Sequence, residues 1–285
     1  MPAPKPVSSL TGSLKMLDGN SIPQFGLGVY EMSDSETVRC VKQALEAGYK
    51  HIDTAEWYEN EAATGKALAA YLKETSTPRS EIFITSKLKN NGTYAQALSD
   101  LKSSLRKAGA DYFDLYLMHS AIGGPEVRSE VWRALMHAKK EGLVKSIGVS
   151  NFGAKHIQEF IDSKVEFLPV VNQCDLHPFM RHFDIVEICE KHDILMEAWG
   201  PLVRALRFNH PSIVKYATKY NKEPAQILLR WGIQHGFVVI PKSVSQKRII
   251  SNSQIFDFAI DAEDMKELDG LDEYLVTDWD VVDCA

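Results

Sequence analysis

His51-Ile52-Asp53-Thr54-Ala55-Glu56-Trp57-Tyr58-Glu59-Asn60-Glu61 joins a short apolar run, closed by an Asp, to a polar turn carrying a Tyr. The run Ile52–Ala55 is too short and too uniformly apolar for a half-exposed strand. It fits a parallel strand buried on both faces. From Asn60 to Thr75, Ala, Leu and Tyr return on one helical face. The stretch therefore reads as one strand–turn–helix unit, and the chain repeats that unit on both sides of it.

Upstream, Ser13–Leu17 and Ile22–Phe25 flank Asp18-Gly19-Asn20, a turn signal that predicts a hairpin. The run Leu27–Tyr30 then precedes a helix over Ser33–Gly48, with Ser33 and Glu36 spaced as a capping box and Gly48 as the stop. Downstream, Ile82–Ser86 leads to a helix over Tyr94–Ala108, Leu115–Met118 to one over Glu126–Glu141, and Ile147–Val149 to one over Ala154–Ser163. Pro169–Val171 leads to Asp184–His192, and Leu195–Trp199 to two helical pieces, Ser212–Tyr220 and Pro224–Gln234, the second with Pro in its first turn. Phe237–Ile240 precedes a helix starting near Ser245, and Ala262–Leu271 forms a terminal helix. Eight β/α units without a linker predict an α/β fold of the closed (β/α)8 TIM-barrel type, with the N-terminal β-hairpin closing the bottom. Residues 1–285 are expected to form one domain.

A net charge of −6 and a pI near 5.9 exclude broad affinity for nucleic acid or anionic membranes, though not a local cationic pocket. No run approaches the roughly 18 apolar residues of a membrane span. Met1 to Leu10 is Pro- and Ser-rich and lacks the apolar core of a signal peptide. Cys40, Cys174, Cys189 and Cys284 are far apart and form no Cys-x-x-Cys pair, as expected of reduced thiols in a soluble cytoplasmic protein.

A barrel of this kind collects its site at the C-terminal ends of the strands. Those ends carry Asp53, Lys87, His119, Ser150-Asn151, Asn172-Gln173, Trp199-Gly200 and Lys242-Ser243. Singly, such an Asp is usually a helix cap, such a Lys is solvated and such a His is satisfied in the core. Jointly they face one cavity.

Asp53 and Lys87 lie on adjacent strands and can pair, which sets an ammonium beside Tyr58 in the following loop. A free Tyr has a pKa of about 10, and a neighbouring ammonium is expected to lower it. His119 is placed to donate to an oxygen held against Tyr58. The set can polarise and protonate a carbonyl oxygen. It contains no electron source, so a cofactor is implied.

Ser150, Asn151 and Gln173 suit a carboxamide, and Trp199 offers a face for stacking. Lys242, Ser243 and Arg248 surround a helix start, where a phosphate monoester is favoured, which selects NADP over NAD. Asn252, one turn beyond Arg248, is placed for an adenine edge. A Rossmann reading of Gly26-Leu27-Gly28 fails at Glu31, which stands where the third glycine belongs. A metal-dependent hydrolase lacks the ligand cluster it needs, so no metal is expected. A Schiff-base role for Lys87 leaves Tyr58 and the strand-8 cations unexplained. A cofactor-sensing binding module remains the reading from a different class.

In these residues the chain resembles the aldo-keto reductase family. The resemblance runs through Leu17-Asp18-Gly19-Asn20, Gly26-Leu27-Gly28, His51-Ile52-Asp53-Thr54-Ala55, Thr85-Ser86-Lys87 and Asp114-Leu115-Tyr116-Leu117-Met118-His119. It continues through Gly148-Val149-Ser150-Asn151-Phe152, Val171-Asn172-Gln173 and Ile240-Pro241-Lys242-Ser243. It implies a barrel that uses NADPH/NADP+, with Tyr58 as general acid, Lys87 and Asp53 tuning it, and His119 orienting the substrate carbonyl. It also implies cofactor contacts from Asp53, Ser150, Asn151, Gln173, Trp199, Gly200, Leu202, Lys242, Ser243, Val244, Arg248 and Asn252. The expected reaction is reduction of small-molecule aldehydes or ketones to alcohols, by a monomer.

Four positions depart from the family's commoner residues. Trp199 stands for a Tyr, Ser120-Ala121 for a Trp-Pro that walls the pocket, and Ser251 for a Glu that clasps the adenosine. The segment Ser120–Glu126 and the tail after Leu271 are short, which predicts an open pocket and broad specificity. Trp57 is either a wall of that pocket or a packing residue.

Overall fold

A computed structural model of the protein describes residues 6–285; Met1–Lys5, which carry part of the expectation of no leader, lie outside the described residues. The Asp18-Gly19-Asn20 turn joins β1 (Ser13–Lys15) to β2 (Ser21–Pro23) in an antiparallel hairpin. Asp18 then accepts from Lys139 at 2.6 Å and Ser146 at 2.8 Å, which ties the turn to the rest of the protein.

Eight parallel strands follow: β3 (Leu27–Gly28), β4 (His51–Asp53), β5 (Phe83–Leu88), β6 (Phe113–Met118), β7 (Val144–Ser150), β8 (Val171–Asp175), β9 (Leu195–Trp199) and β10 (Val238–Val239). Each pairs with the next in chain order. The two ends of the row also meet. Gly26 N donates to Val239 O at 3.0 Å, Gly28 N to Pro241 O at 3.2 Å, and Val239 N to Gln24 O at 2.9 Å. A Cβ on Gly28 would stand 3.0 Å from Ile240 O, so the seam closes at a distance that suits glycine. The sheet is thus a (β/α)8 barrel, as the alternation predicts.

Helices α1 (Asp34–Glu46), α2 (Glu61–Thr75), α3 (Tyr94–Ala108), α4 (Gly124–Lys140), α5 (Ala154–Asp162) and α6 (Phe183–Lys191) each follow one strand. Two more, α7 (Pro211–Tyr220) and α8 (Pro224–Gln234), follow β9, and α9 (Gln246–Ser253) and α10 (Ala262–Asp269) follow β10. Ser33 and Glu36 form the expected capping box on α1. Among the described residues no helix is long and apolar enough to cross a membrane.

Two apolar layers place the site. Outside the sheet, Ile52, Ile84, Tyr116, Met118, Ile147 and Val149 pack with helix residues such as Val41, Leu68, Leu101 and Trp132. Inside, Leu14, Met16 and Ile22 of the hairpin meet Phe83, Leu115, Leu117, Val171, Leu195 and Val238, which stoppers the N-terminal end with hydrocarbon. Above that plug the lining turns polar: His51, Asp53, Thr85, Lys87, Gln173 and Glu197 are all buried.

One strand differs from expectation. Pro169–Val171 is replaced by Val171–Asp175, because Pro169 has no N–H to give a ladder. The strand therefore runs on through the polar residues Asn172-Gln173-Cys174-Asp175, whose side chains find partners inside the protein. Asn172 Nδ2 donates to Phe152 O at 2.8 Å, and Gln173 Nε2 to Asp53 Oδ2 at 2.9 Å.

Candidate active site

Lys87 reaches the site from inside β5, and its side chain is fully buried. Its ammonium donates to Asp53 Oδ1 at 2.6 Å, Thr54 O at 3.1 Å and Tyr58 OH at 3.1 Å. These bonds use all three of its protons. Tyr58 ends the one-turn 3-10 helix Glu56–Tyr58 that follows β4. That loop is fixed by a residue sequence reasoning passed over, the buried Asn60. Its amide donates to Val29 O at 2.9 Å and Met32 O at 3.3 Å, and it accepts from Thr54 Oγ1 at 2.8 Å. A polar residue just before an apolar helix was the available signal, but a solvent-facing cap gives the same signal. His119, one residue past β6, presents its ring edge-on to Tyr58 with centroids 5.7 Å apart. The structure therefore brings Asp53, Tyr58, Lys87 and His119 together at the C-terminal mouth of the barrel.

The electrostatics correct one expectation. Tyr58 is not acidified: burial outweighs the Lys87 ammonium, and its pKa is pushed up to about 12. The phenol thus holds its proton at neutral pH. Burial alone would lower Lys87, but the Asp53 charge and the Tyr58 hydroxyl outweigh it and hold the ammonium up. Burial raises the Asp53 carboxyl, while Lys87 and the Gln173 amide pull it back. The 2.6 Å contact is that of an ion pair. Burial and then Lys87 drive His119 well below its ordinary value, so its ring is neutral at physiological pH.

Beneath this group lies Glu197 of β9, 0% exposed, with neither carboxyl oxygen hydrogen-bonded among the described residues. Burial and the Asp53 charge push it up to about 8. The folded chain then holds a proton that the unfolded chain releases above its ordinary value of 4.5, so this residue costs stability as pH rises from about 4.5 to 8. Glu197→Gln is expected to gain on the native protein by about 2–4 kcal/mol across that window. Urea unfolding at pH 5 and pH 8.5 measures this, and an equal difference at both pH values refutes it.

The residues expected around a cofactor lie along the next strand ends. Ser150 Oγ donates to Gln173 O at 2.9 Å, and Asn151 Nδ2 to His119 O at 3.0 Å. Trp199, half-buried, donates from Nε1 to Asn151 Oδ1 at 2.8 Å, which fixes the plane of its indole at the mouth. Gly200 (φ +65) and half-buried Leu202 follow it. Lys242, Val244 and Arg248 are exposed around the start of α9, with Ser243 and Asn252 buried beside them.

Two side chains near α9 escaped the sequence reading. Arg39 of α1 donates to Val244 O at 3.2 Å and adds a third cation there. Ser251 donates to Glu223 at 3.2 Å, so a carboxylate reaches this place from the cap of α8.

The mouth is less open than the short loops predict. The tail after α10 folds back, and Trp279 lies edge-on to His119 with centroids 6.1 Å apart. It supplies an aromatic wall where Ser120-Ala121 left one missing. Trp57 is 53% exposed, with the Lys89 ammonium 5.5 Å above its ring, so it is a surface aromatic at the rim.

This arrangement defines a barrel enzyme class: polar acid–base groups held at strand ends, with a stacking face and a cationic helix start beside them. The aldo/keto reductase family model matches residues 23–273, and the chain belongs to that family. It is 42% identical over 262 residues to the methylglyoxal reductase DkgA of Escherichia coli, covering 91% of this chain and 93% of that one. Among solved structures it resembles an aldo/keto reductase from Brucella melitensis, with a TM-score of 0.86 and 42% identity over 92% of this chain and 99% of that chain. It also resembles a Bombyx mori aldo-keto reductase in complex with NADP, with a TM-score of 0.88 and 33% identity over 93% of this chain and 94% of that chain.

Proposed function

We propose that the protein reduces aldehydes and ketones to alcohols with NADPH, acting as a cytoplasmic single-domain monomer on small molecules. The observation that carries this reading is the Tyr58 hydroxyl held 3.1 Å from the Lys87 ammonium with His119 facing it. NADPH, when bound, supplies the hydride. Neutral His119 donates to the carbonyl oxygen and orients it. Tyr58 delivers its proton as negative charge develops on that oxygen, and the adjacent Lys87 ammonium stabilises the phenolate left behind. Asp53 holds the ammonium in place. The reverse reaction, alcohol oxidation with NADP+, releases a proton to solvent and is therefore favoured by alkaline pH.

The donor set suits the cofactor. Ser150, Asn151 and Gln173 offer hydroxyl and amide groups, Trp199 a flat face, and Lys242, Ser243 and Arg248 an anion site at the first turn of α9. Cys40, Cys174, Cys189 and Cys284 are free thiols, which supports a reducing compartment. A Schiff base on Lys87 is disfavoured by an ammonium whose protons are all engaged and which Asp53 keeps charged.

The test is NADPH consumption with a panel of aldehydes, α-keto compounds and sugars, beginning with methylglyoxal because of the Escherichia coli relative. Absence of turnover across the panel despite tight NADPH binding turns the reading toward a binding module. Arg248→Ala checks the phosphate clasp. It is expected to weaken NADPH about tenfold, roughly 1.4 kcal/mol, and NADH less than about twofold. Equal losses in a binding titration count against the clasp.

A further inference from the structure

Asp175 ends β8 and points to the mouth like Gln173, but the proposed chemistry does not use it. Its Oδ2 accepts two hydrogen bonds from one residue of the tail: Thr277 N at 3.1 Å and Thr277 Oγ1 at 2.7 Å. Its Oδ1 lies 3.2 Å from His177 Nε2. The same carboxylate crowds Gly200, where a Cβ would meet Asp175 Oδ1 at 2.6 Å and Thr277 Oγ1 at 3.2 Å. With its φ of +65, Gly200 is the residue that lets the tail sit this close.

The next two tail residues also meet the protein. Asp278 accepts from Arg204 at 2.7 Å, and that guanidinium also faces Glu31 at 3.7 Å and lies 5.9 Å above the Tyr30 ring. Tyr30 in turn packs on Tyr58 with centroids 5.0 Å apart. Arg204 sits in a left-handed turn of Val203 (φ 53), Arg204 (φ 44) and Ala205 (φ 63), a conformation disfavoured outside glycine. Such a turn persists where contacts over-determine it, and the Asp278 pair is one of those contacts. Trp279 follows, against His119. Three consecutive residues thus pin the tail to β8, to the loop after β9 and to the proposed carbonyl-facing histidine. Trp279 is still 40% exposed, so the wall it makes is held by the residues before it and not by burial.

We propose that Asp175 and Thr277 form a latch that fixes Trp279 over His119, so that the tail admits small, flat carbonyl compounds and rejects bulky ones. Asp175 and Thr277 are positioning residues that act through Trp279. The specificity half of this rests on the reductase reading; the latch does not.

The test compares Thr277→Val with Thr277→Ser in the full chain, using two readouts. Hydrogen exchange of the amides of 275–281, followed without substrate or cofactor, is expected to rise about tenfold in Thr277→Val and to stay within about twofold in Thr277→Ser. The ratio of kcat/KM for a bulky aromatic aldehyde to that for methylglyoxal is expected to rise about tenfold in Thr277→Val, through KM with kcat little changed, and to be kept by Thr277→Ser. Unchanged exchange in Thr277→Val, or a Ser variant that behaves like the Val variant, overturns the latch. Faster exchange with an unchanged ratio overturns the specificity role. If no carbonyl compound is turned over, the reductase reading fails and the exchange result alone decides the latch.

Discussion

Tyr58→Phe is expected to lower carbonyl reduction by a factor of about 10²–10⁴, the range of a positioned general acid, while cofactor affinity stays within about twofold. The substitution removes one oxygen and little else. Tyr58 sits on a turn held by Asn60, and Asn60 takes its bonds from Thr54, Val29 and Met32, none of which involve the phenol. The ring contacts with Tyr30 and His119 survive in Phe. The lost group is the hydroxyl that accepts a hydrogen bond from the Lys87 ammonium at 3.1 Å and would give its own proton to the substrate. Single-turnover kinetics with NADPH and an aldehyde separate this from a binding defect. Retained activity would remove Tyr58 as proton donor and with it the proposed mechanism. Because the phenol keeps its proton up to about pH 12 in the free protein, a fall in reduction at lower alkaline pH belongs to another group.

Lys87→Met is expected to cost about 3–5 kcal/mol of stability, because it leaves the buried Asp53 carboxylate with the Gln173 amide as its remaining side-chain partner. Activity should fall at least about a hundredfold in the same variant, since no cation then stabilises the phenolate. The two effects have different origins and can be separated. Lys87→Met combined with Asp53→Asn removes both charges, so much of the stability should return while activity does not. Denaturant unfolding and turnover of the single and double variants measure this. Equal instability in both variants would show that the loss is packing around the Lys87 stem and not an orphaned charge. The cost in the single variant should shrink at acid pH, where Asp53 takes up a proton.

The proposed chemistry was legible because it depends on residues at strand ends, and strand ends can be located from short patterns. Ile52 and Asp53 differ by one position and therefore face opposite sides of the sheet, as do Ser86 and Lys87. A run that turns polar at its last inward position marks the mouth of the barrel. The bounds of β8 were set too early in the chain by the same reasoning, since the apolar run stops at Val171 while the strand continues through Asn172, Gln173 and Asp175, whose partners come from elsewhere in the fold. Asn60, Arg39 and Glu223 were passed over for a related reason: each acts on a residue that is near in space and far along the chain.

The pattern of short apolar runs, capped helices and terminal polar residues by itself determined the closed β/α barrel, the hairpin beneath it and the set Asp53, Tyr58, Lys87 and His119. These follow from local periodicity and from a topology that aims every strand end at one cavity. Tertiary structure alone decided how those groups titrate and what encloses them. Burial set the Tyr58 phenol upward against the pull of Lys87, and it left Glu197 as an uncharged acid under Asp53. Packing brought Trp279 across some 160 residues of chain to cover His119. Desolvation and long-range contact depend on the whole fold, and no local stretch of residues encodes either.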